Sequence, residues 1–368
     1  MQLIPRFIFL IVFIPFLSAQ ANNVGLSTEF IDAGSIFEGP SVESAELVCS
    51  GVLVACDTVL TAAHCLKYRH AAENRFWLFF QHMGVHEVDH EEIIFFCDDN
   101  HCPGQSEKYY DLALLRLISP SNRQSMVPKA KKTFESHEVV TRFLGFGIRL
   151  PWLDNHNLKR LTSIQLRDCD SPSPDAQIFC SDLDNDVPTP CHKDSGGPLY
   201  AVLKGGEQSL LGIAIRTGVG CRSGQAVYND ITSPIVQSWL RNRIGEKANQ
   251  CSKITRSAAE IISEPEGWLD ETSSVWELKF NVTSDLDQLL VTMNHAPGAN
   301  LGGMHNDFDL ELSSPANDSA SLLIYCDNTW KLLSVCRFPS PAPGTWKARV
   351  IRKHGEGHFQ LVATGITK

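Results

Sequence analysis

The stretch Cys191-His192-Lys193-Asp194-Ser195-Gly196-Gly197-Pro198-Leu199 sets one serine between an acid and two glycines. Neither glycine carries a Cβ, so the backbone there can turn tightly and approach other segments closely. A serine on such a turn is a candidate nucleophile, and the N–H groups beside it are candidate donors to an oxyanion. The same four residues, DSGG, also suit a plain turn. Two other segments decide between these readings. Val59-Leu60-Thr61-Ala62-Ala63-His64-Cys65 puts a histidine, the natural base near neutral pH, after an apolar run. Tyr109-Tyr110-Asp111-Leu112-Ala113-Leu114-Leu115 puts a carboxylate at the head of an apolar strand. A carboxylate there can accept the second ring N–H of the histidine and fix its tautomer.

Around these segments the chain reads as all-β. Short apolar runs such as LVCSGVLV, RFWLFF, EEIIFF and LALLRL are split by Gly, Pro, Asn, Asp and Ser clusters, the pattern of many short strands. One helix is expected over 233–244, with Pro234 just inside its start and Ile235, Val236, Trp239 and Leu240 on one face. The polar stretch 246–267 reads as a linker. Beyond it, runs with period two (VWELKFNV, LLVTMNH, DFDLELSS, TWKARVIRK, HFQLVAT) predict an antiparallel sandwich over 268–368. Arg6, the apolar run from Phe7 to Leu17 and Ser18-Ala19-Gln20-Ala21 read as a secretory signal peptide over 1–21, too short to span a bilayer comfortably. A secreted protein, off the membrane once cleaved, is expected. All 12 cysteines follow that segment and in an exported chain suggest a set of disulfides. The net charge of −10, with no concentrated basic stripe, argues against a nucleic-acid partner.

The AAHC, DLALL and DSGGPL boxes occur together and in this order, and the chain resembles the chymotrypsin/trypsin-like serine endopeptidases from about Leu26 to Ile244. The resemblance implies two six-stranded antiparallel barrels over 22–245, acting on protein or peptide substrates through an acyl-enzyme. It makes His64 the base, Asp111 the orienting acid and Ser195 the nucleophile. The backbone N–H groups of Lys193 and Ser195 would form the oxyanion hole. Asp194 would be the buried acid that meets an amino terminus in the family. The implied disulfides are Cys49–Cys65, Cys169–Cys180 and Cys191–Cys221. Cys97–Cys102 is expected as a local bridge, and Cys56–Cys251 as a pairing of the remainder. Gly145-Phe146-Gly147 resembles the family's Gly-Trp-Gly turn.

The departures bear on activity. Lys193 replaces a glycine, leaving three readings: a slow enzyme, an oxyanion hole completed with substrate, or a degenerate one that only binds proteins. Thr189 stands where trypsin-like members carry aspartate, and Thr217 and Ala226 where wide pockets have glycine. This implies small or medium uncharged side chains before the cleaved bond. Ile215 replaces a serine that touches the catalytic acid. Arg216 replaces a tryptophan on the substrate strand, where it either favours acidic groups or simply lies on the surface. Because no Lys or Arg lies between Arg6 and Lys67, activation by a cut after a basic residue is not available there. Signal removal or trimming would supply the working terminus, or Asp194 is satisfied otherwise. The stretch HMGVHEVDHEEIIFFCDDNHC (82–102) is expected as a solvated loop rather than a cation site, and catalysis calls for no cofactor.

Residues 268–368 resemble the prepeptidase-type C-terminal domain of secreted peptidases, a jelly-roll-like sandwich, most clearly in PAPGTWKARV. Cys326 and Cys336 sit on neighbouring runs and are expected to bridge. Asp307, Asp309 and Glu311 share one strand face, which is either wet or the seat of a structural calcium. A monomer is expected.

Overall fold

The computed structural model describes residues 25–26, 30–67, 74–97, 110–121, 139–148, 156–170, 178–182, 190–203, 207–217, 221, 225–251, 259–263, 266–298, 306–315, 323–328 and 330–367. Residues 1–21, expected as a signal peptide, lie outside them. Strand β1 (Gly25–Leu26) is followed by β2 (Ala33–Gly39), β3 (Glu46–Ala55), β4 (Thr58–Thr61), the short helix α1 (His64–Lys67), β5 (Arg75–Phe80), β6 (Gly84–Phe95) and β7 (Ala113–Leu117). Strands β2 to β7 close a barrel in the order β2-β3-β4-β7-β6-β5. Its apolar runs face inward as Ile36, Val59, Phe76, Leu78, Phe80 and Leu115, all buried.

The stretch 82–102 corrects one expectation. Its first part is the long barrel strand β6, not a solvated loop. The His90 ring accepts the Phe76 N–H at 3.1 Å, and His82 is buried. Charged residues hid this strand because its outer face takes polar side chains.

The second sheet contains β8 (Val139–Gly145), β9 (Arg160–Ile164), β10 (Ile178–Asp182), β11 (Pro198–Leu203), β12 (Gln208–Arg216) and β13 (Gln225–Asp230). With β1 it runs β1-β9-β8-β11-β12-β13-β10, and an Arg167–Cys180 bridge brings the chain beyond β9 back to β10. It is a near-closed six-stranded half-barrel beside the closed one. Helix α2 follows (Pro234–Cys251). Its Val236, Trp239, Leu240 and Ile244 are buried in one apolar cluster with Tyr110 and Phe96 of the first barrel. The helix runs past 244, and the strands β14 (Ala259–Ser263) and β15 (Glu266–Leu269) follow it. Of 246–267, expected as a linker, residues 246–251 continue α2, while 259–263 and 266–267 pair with a strand far along the chain, Gly357–Thr367.

The remaining strands are β16 (Val275–Val282), β17 (Leu286–His295), β18 (Asp307–Ser313), β19 (Leu323–Tyr325), β20 (Leu333–Pro339), β21 (Gly344–His354) and β22 (Gly357–Thr367). They form two antiparallel sheets, β14-β22-β17-β20 with β15 also on β22, and β16-β21-β18-β19. Leu289, Val291 and Leu361 from the first sheet share a buried cluster with Leu310, Trp346 and Val350 from the second. The other face of β17 and β22 carries Thr292, Asn294, Gln360 and Thr364, all fully buried. That face rests on the barrels. Trp330 meets Phe37 and Trp77 edge to face, with centroids 5.7 and 5.5 Å away.

Candidate active site

His64 opens α1 directly after β4. The Cys49–Cys65 disulfide ties this corner to β3. Asp111, just ahead of β7, takes the His64 backbone N–H on Oδ1 at 2.7 Å and pairs through Oδ2 with His64 Nδ1 in a short hydrogen bond. One carboxylate thus grips both the main chain and the ring of one residue. Because a carboxylate only accepts, the pairing calls for the proton on Nδ1, an arrangement in which Nε2 can serve as a base. Asp111 is itself fixed: its carbonyl accepts the Ala63 N–H at 3.2 Å, and its N–H donates to Asn229 Oδ1 at 3.0 Å. Sequence reasoning missed Asn229, a fully buried polar residue on β13. Its only signal was an amide within the otherwise strand-like AVYNDI.

Ser195 lies half-buried on the turn between Cys191 and β11. Its carbonyl accepts the Ser50 N–H at 2.8 Å, the Gly196 N–H reaches Ala214 O at 2.7 Å, and the Ala214 N–H returns to Gly197 O at 3.0 Å. Gly196 has φ +83, and a Cβ there would lie 2.1 Å from Ser50 O, so no other residue fits. Serine and histidine are anchored on neighbouring residues: Ser50 holds the Ser195 turn, and Cys49 is bonded to the residue after His64.

Lys193 takes φ +73, a left-handed backbone that costs a residue with a Cβ about 1–3 kcal/mol. Its carbonyl accepts Ser50 Oγ–H at 3.1 Å, and the same Oγ accepts the Phe146 N–H at 3.1 Å. Asp194 is buried and accepts N–H groups from Gly147 at 2.7 Å and Cys191 at 2.9 Å. Burial pushes its carboxyl up to about 6, while the two N–H bonds and the nearby Arg160 charge pull the other way. A Cβ on Gly145 would sit 1.9 Å from Asp194 Oδ1, which explains the first glycine of the Gly-Phe-Gly turn. Leu26 of β1 pairs with Arg160, whose guanidinium donates to Gly147 O at 2.7 Å.

Among the pocket residues, Ala226 is buried. Thr217 is half-buried, and its Oγ1 has no hydrogen-bond partner among the described residues. Ile215 falls at a register shift between β12 and β13 and packs on the first barrel's core. Arg216 is exposed. Thr189 lies outside the described residues. The disulfides Cys49–Cys65, Cys169–Cys180, Cys191–Cys221 and Cys326–Cys336 are formed. Cys56 and Cys97 are also disulfide-bonded. Cys102 and the side chain of Cys251, their expected partners, lie outside the described residues. Asp309, Glu311 and Asp307 face Lys353 at 2.9 Å, Arg349 at 3.2 Å and His354 at 3.8 Å, so basic side chains of β21 stand beside the acids considered for calcium.

The sequence pattern of the Trypsin family matches residues 36–240, over half of the 368-residue chain. The chain belongs to this family of serine proteases. It is 28% identical over 179 residues to the thrombin-like enzyme kangshuanmei of Gloydius brevicauda, covering 42% of this chain and 70% of that one. Over 231 residues it is 26% identical to the snake venom serine protease serpentokallikrein-1 of Protobothrops mucrosquamatus, 56% and 82% of the two chains. Against vitamin K-dependent protein C of Mus musculus it is 26% identical over 227 residues, 55% of this chain and 47% of that one, about half its length. No helix among the described residues is long and apolar enough to cross a membrane.

Proposed function

We propose that the protein is a secreted serine endopeptidase that cleaves peptide bonds through an acyl-enzyme on Ser195. Ser195 Oγ attacks the scissile carbonyl carbon as His64 Nε2 takes its proton. The imidazolium, steadied by Asp111, then gives that proton to the leaving amine. A water deprotonated by the same nitrogen releases the acid product. The N–H groups of Lys193 and Ser195 receive the oxyanion, and Asp194 holds their loop in place. The observation that carries this reading is the two-point grip of Asp111 on His64, which leaves one ring nitrogen as base. The left-handed backbone of Lys193 further supports it, since a side chain at this position does not prevent that conformation.

Thr189, Thr217 and Ala226 suit a small or medium uncharged side chain before the cleaved bond, with protein or peptide substrates taken by a monomer. The chemistry proposed draws on side chains and backbone alone. The C-terminal unit is read as a jelly-roll sandwich of the prepeptidase-type kind; the order of its two sheets and their shared core support that assignment.

A fluorophosphonate probe tests the activity. Labelling of the folded chain that disappears in Ser195→Ala is the expected result. A folded chain that takes no label is instead a binding protein built on a peptidase frame. A peptide library cleaved mainly after Lys or Arg would reject the pocket assignment.

A further inference from the structure

Lys193 is held from two sides. Its carbonyl is bonded to Ser50, and its Nζ lies 3.1 Å from His156 Nε2 and 3.5 Å from Nδ1. An ammonium only donates, so the ring nitrogen it meets is an acceptor. His156 is buried and precedes Asn157, a residue with φ +69. The Asn157 N–H donates to Phe146 O at 2.7 Å, next to the glycine that holds Asp194.

The C-terminal sheets capture this same short segment. Asn157 Nδ2 donates to His295 O at 3.2 Å and to Leu332 O at 3.0 Å. Asn294 Nδ2 donates to Asn157 O at 2.6 Å. The Gln360 side chain then acts like a strand partner of Lys159, accepting its N–H at 2.8 Å and donating to its carbonyl at 3.0 Å. Gln81 of the first barrel donates into the same cluster, to Asn294 Oδ1 at 3.0 Å and Gln360 Oε1 at 2.9 Å. Asn157, Asn294 and Gln360 are fully buried, so these bonds compete with no bulk water.

We propose that the C-terminal unit is a positioning element of the active site, acting through Asn157 and His156 on the backbone of Lys193. The inference rests on the peptidase reading and adds a role for residues outside the trypsin-type barrels. A glycine takes the left-handed conformation without strain, whereas a lysine there is strained. The contact between Lys193 Nζ and His156 helps to hold it, and the C-terminal sheets hold the next residue, Asn157. In this view the lysine and the added domain belong together. His156 and Asn157 are positioning residues that touch no reacting atom.

The test is the rate of fluorophosphonate labelling of the full chain, with kcat and KM on a small ester, in two backgrounds. His156→Ala is expected to label roughly 10- to 100-fold more slowly, short of the 100- to 1000-fold cost of deleting a donor, with kcat falling and KM nearly unchanged. Asn157→Gly accepts the same φ and deletes only the side-chain bonds to the C-terminal unit; it is expected to act in the same direction. In a Lys193→Gly background, His156→Ala is expected to change the rate less than about twofold, since glycine needs no anchor. A wild-type rate in His156→Ala overturns the proposal. So does an equal loss in both backgrounds, which marks general packing damage. A wild-type chain that takes no label overturns the peptidase reading and this inference with it.

Discussion

His64 and Asp111 meet within the first barrel, through bonds between α1 and the head of β7, with Asn229 lending support from the second sheet. The turn that carries Ser195 rests on more of the molecule. Ser50 of the first barrel, Gly147 and Ala214 of the second, and the 156–159 segment locked to the C-terminal sheets all bear on it. The base is a local construction and the oxyanion side is a tertiary one. A local pair resists changes elsewhere; a turn braced from several units transmits them.

The largest way to break this contrast is at the local pair. Asp111→Asn keeps the shape but imposes the wrong tautomer, and kcat is expected to fall about 10⁴-fold, the cost this exchange has in a triad of this family, with little change in melting temperature. Steady-state kinetics beside a thermal melt would separate the two effects. Next comes Trp330→Ala at the joint between the C-terminal sheets and the barrel. Emptying that buried site is expected to cost about 3–5 kcal/mol of stability in denaturant unfolding.

Acid tests the braced side of the comparison, because the Ser195 turn and the C-terminal sheets each bury a titratable group, Asp194 and His295. Asp194 is raised to about 6. The folded chain therefore keeps a proton that the unfolded chain releases, and this group's contribution to stability is fullest below the ordinary aspartate pKa. It is lost as pH rises through about 6, a change of up to about 3 kcal/mol. His295, buried on β17, is lowered to about 4 by desolvation. Its contribution is present above the ordinary histidine pKa and is lost as pH falls through about 4, by a similar amount of about 3 kcal/mol. Between about pH 4 and 6 the two slopes oppose and nearly cancel in the wild type, so unfolding free energies should rise with pH in Asp194→Asn and fall with pH in His295→Asn. If either variant keeps the wild-type slope, that group is not the source.

The smallest effect is expected at exposed Arg216. Arg216→Glu should alter the preference between acidic and neutral peptides by no more than about fivefold, the range of a surface ion pair. A larger shift in kcat/KM would mean that substrate desolvates this side chain.

The His64–Asp111 pair was legible because AAHC and DLALL are compact boxes whose residue types have few other joint uses; three disulfides followed from the family resemblance, and Cys326–Cys336 from two neighbouring runs. The helix start at Pro234 and the period-two strands were legible for local reasons as well. The joint between the units was not. LLVTMNH and HFQLVAT alternate, so the sequence says which residues share a face, yet alternation cannot say whether the second face meets water or another domain. Thr292, Asn294, Gln360 and Thr364 look like a wet face and are fully buried. Asn229, His156 and Asn157 escaped notice for a related reason: each matters through partners far along the chain, and a single polar residue carries no spacing to read. The length of α2 was hidden by the polar residues of its final turns.

The tryptophan at the joint has a consequence for any attempt to shorten the protein. A polypeptide ended after Cys251 would match the length of a plain catalytic unit, yet it would bare the rings of Phe37 and Trp77 and strip Lys159 of its amide partner. Such a fragment is expected to be sticky and poorly soluble.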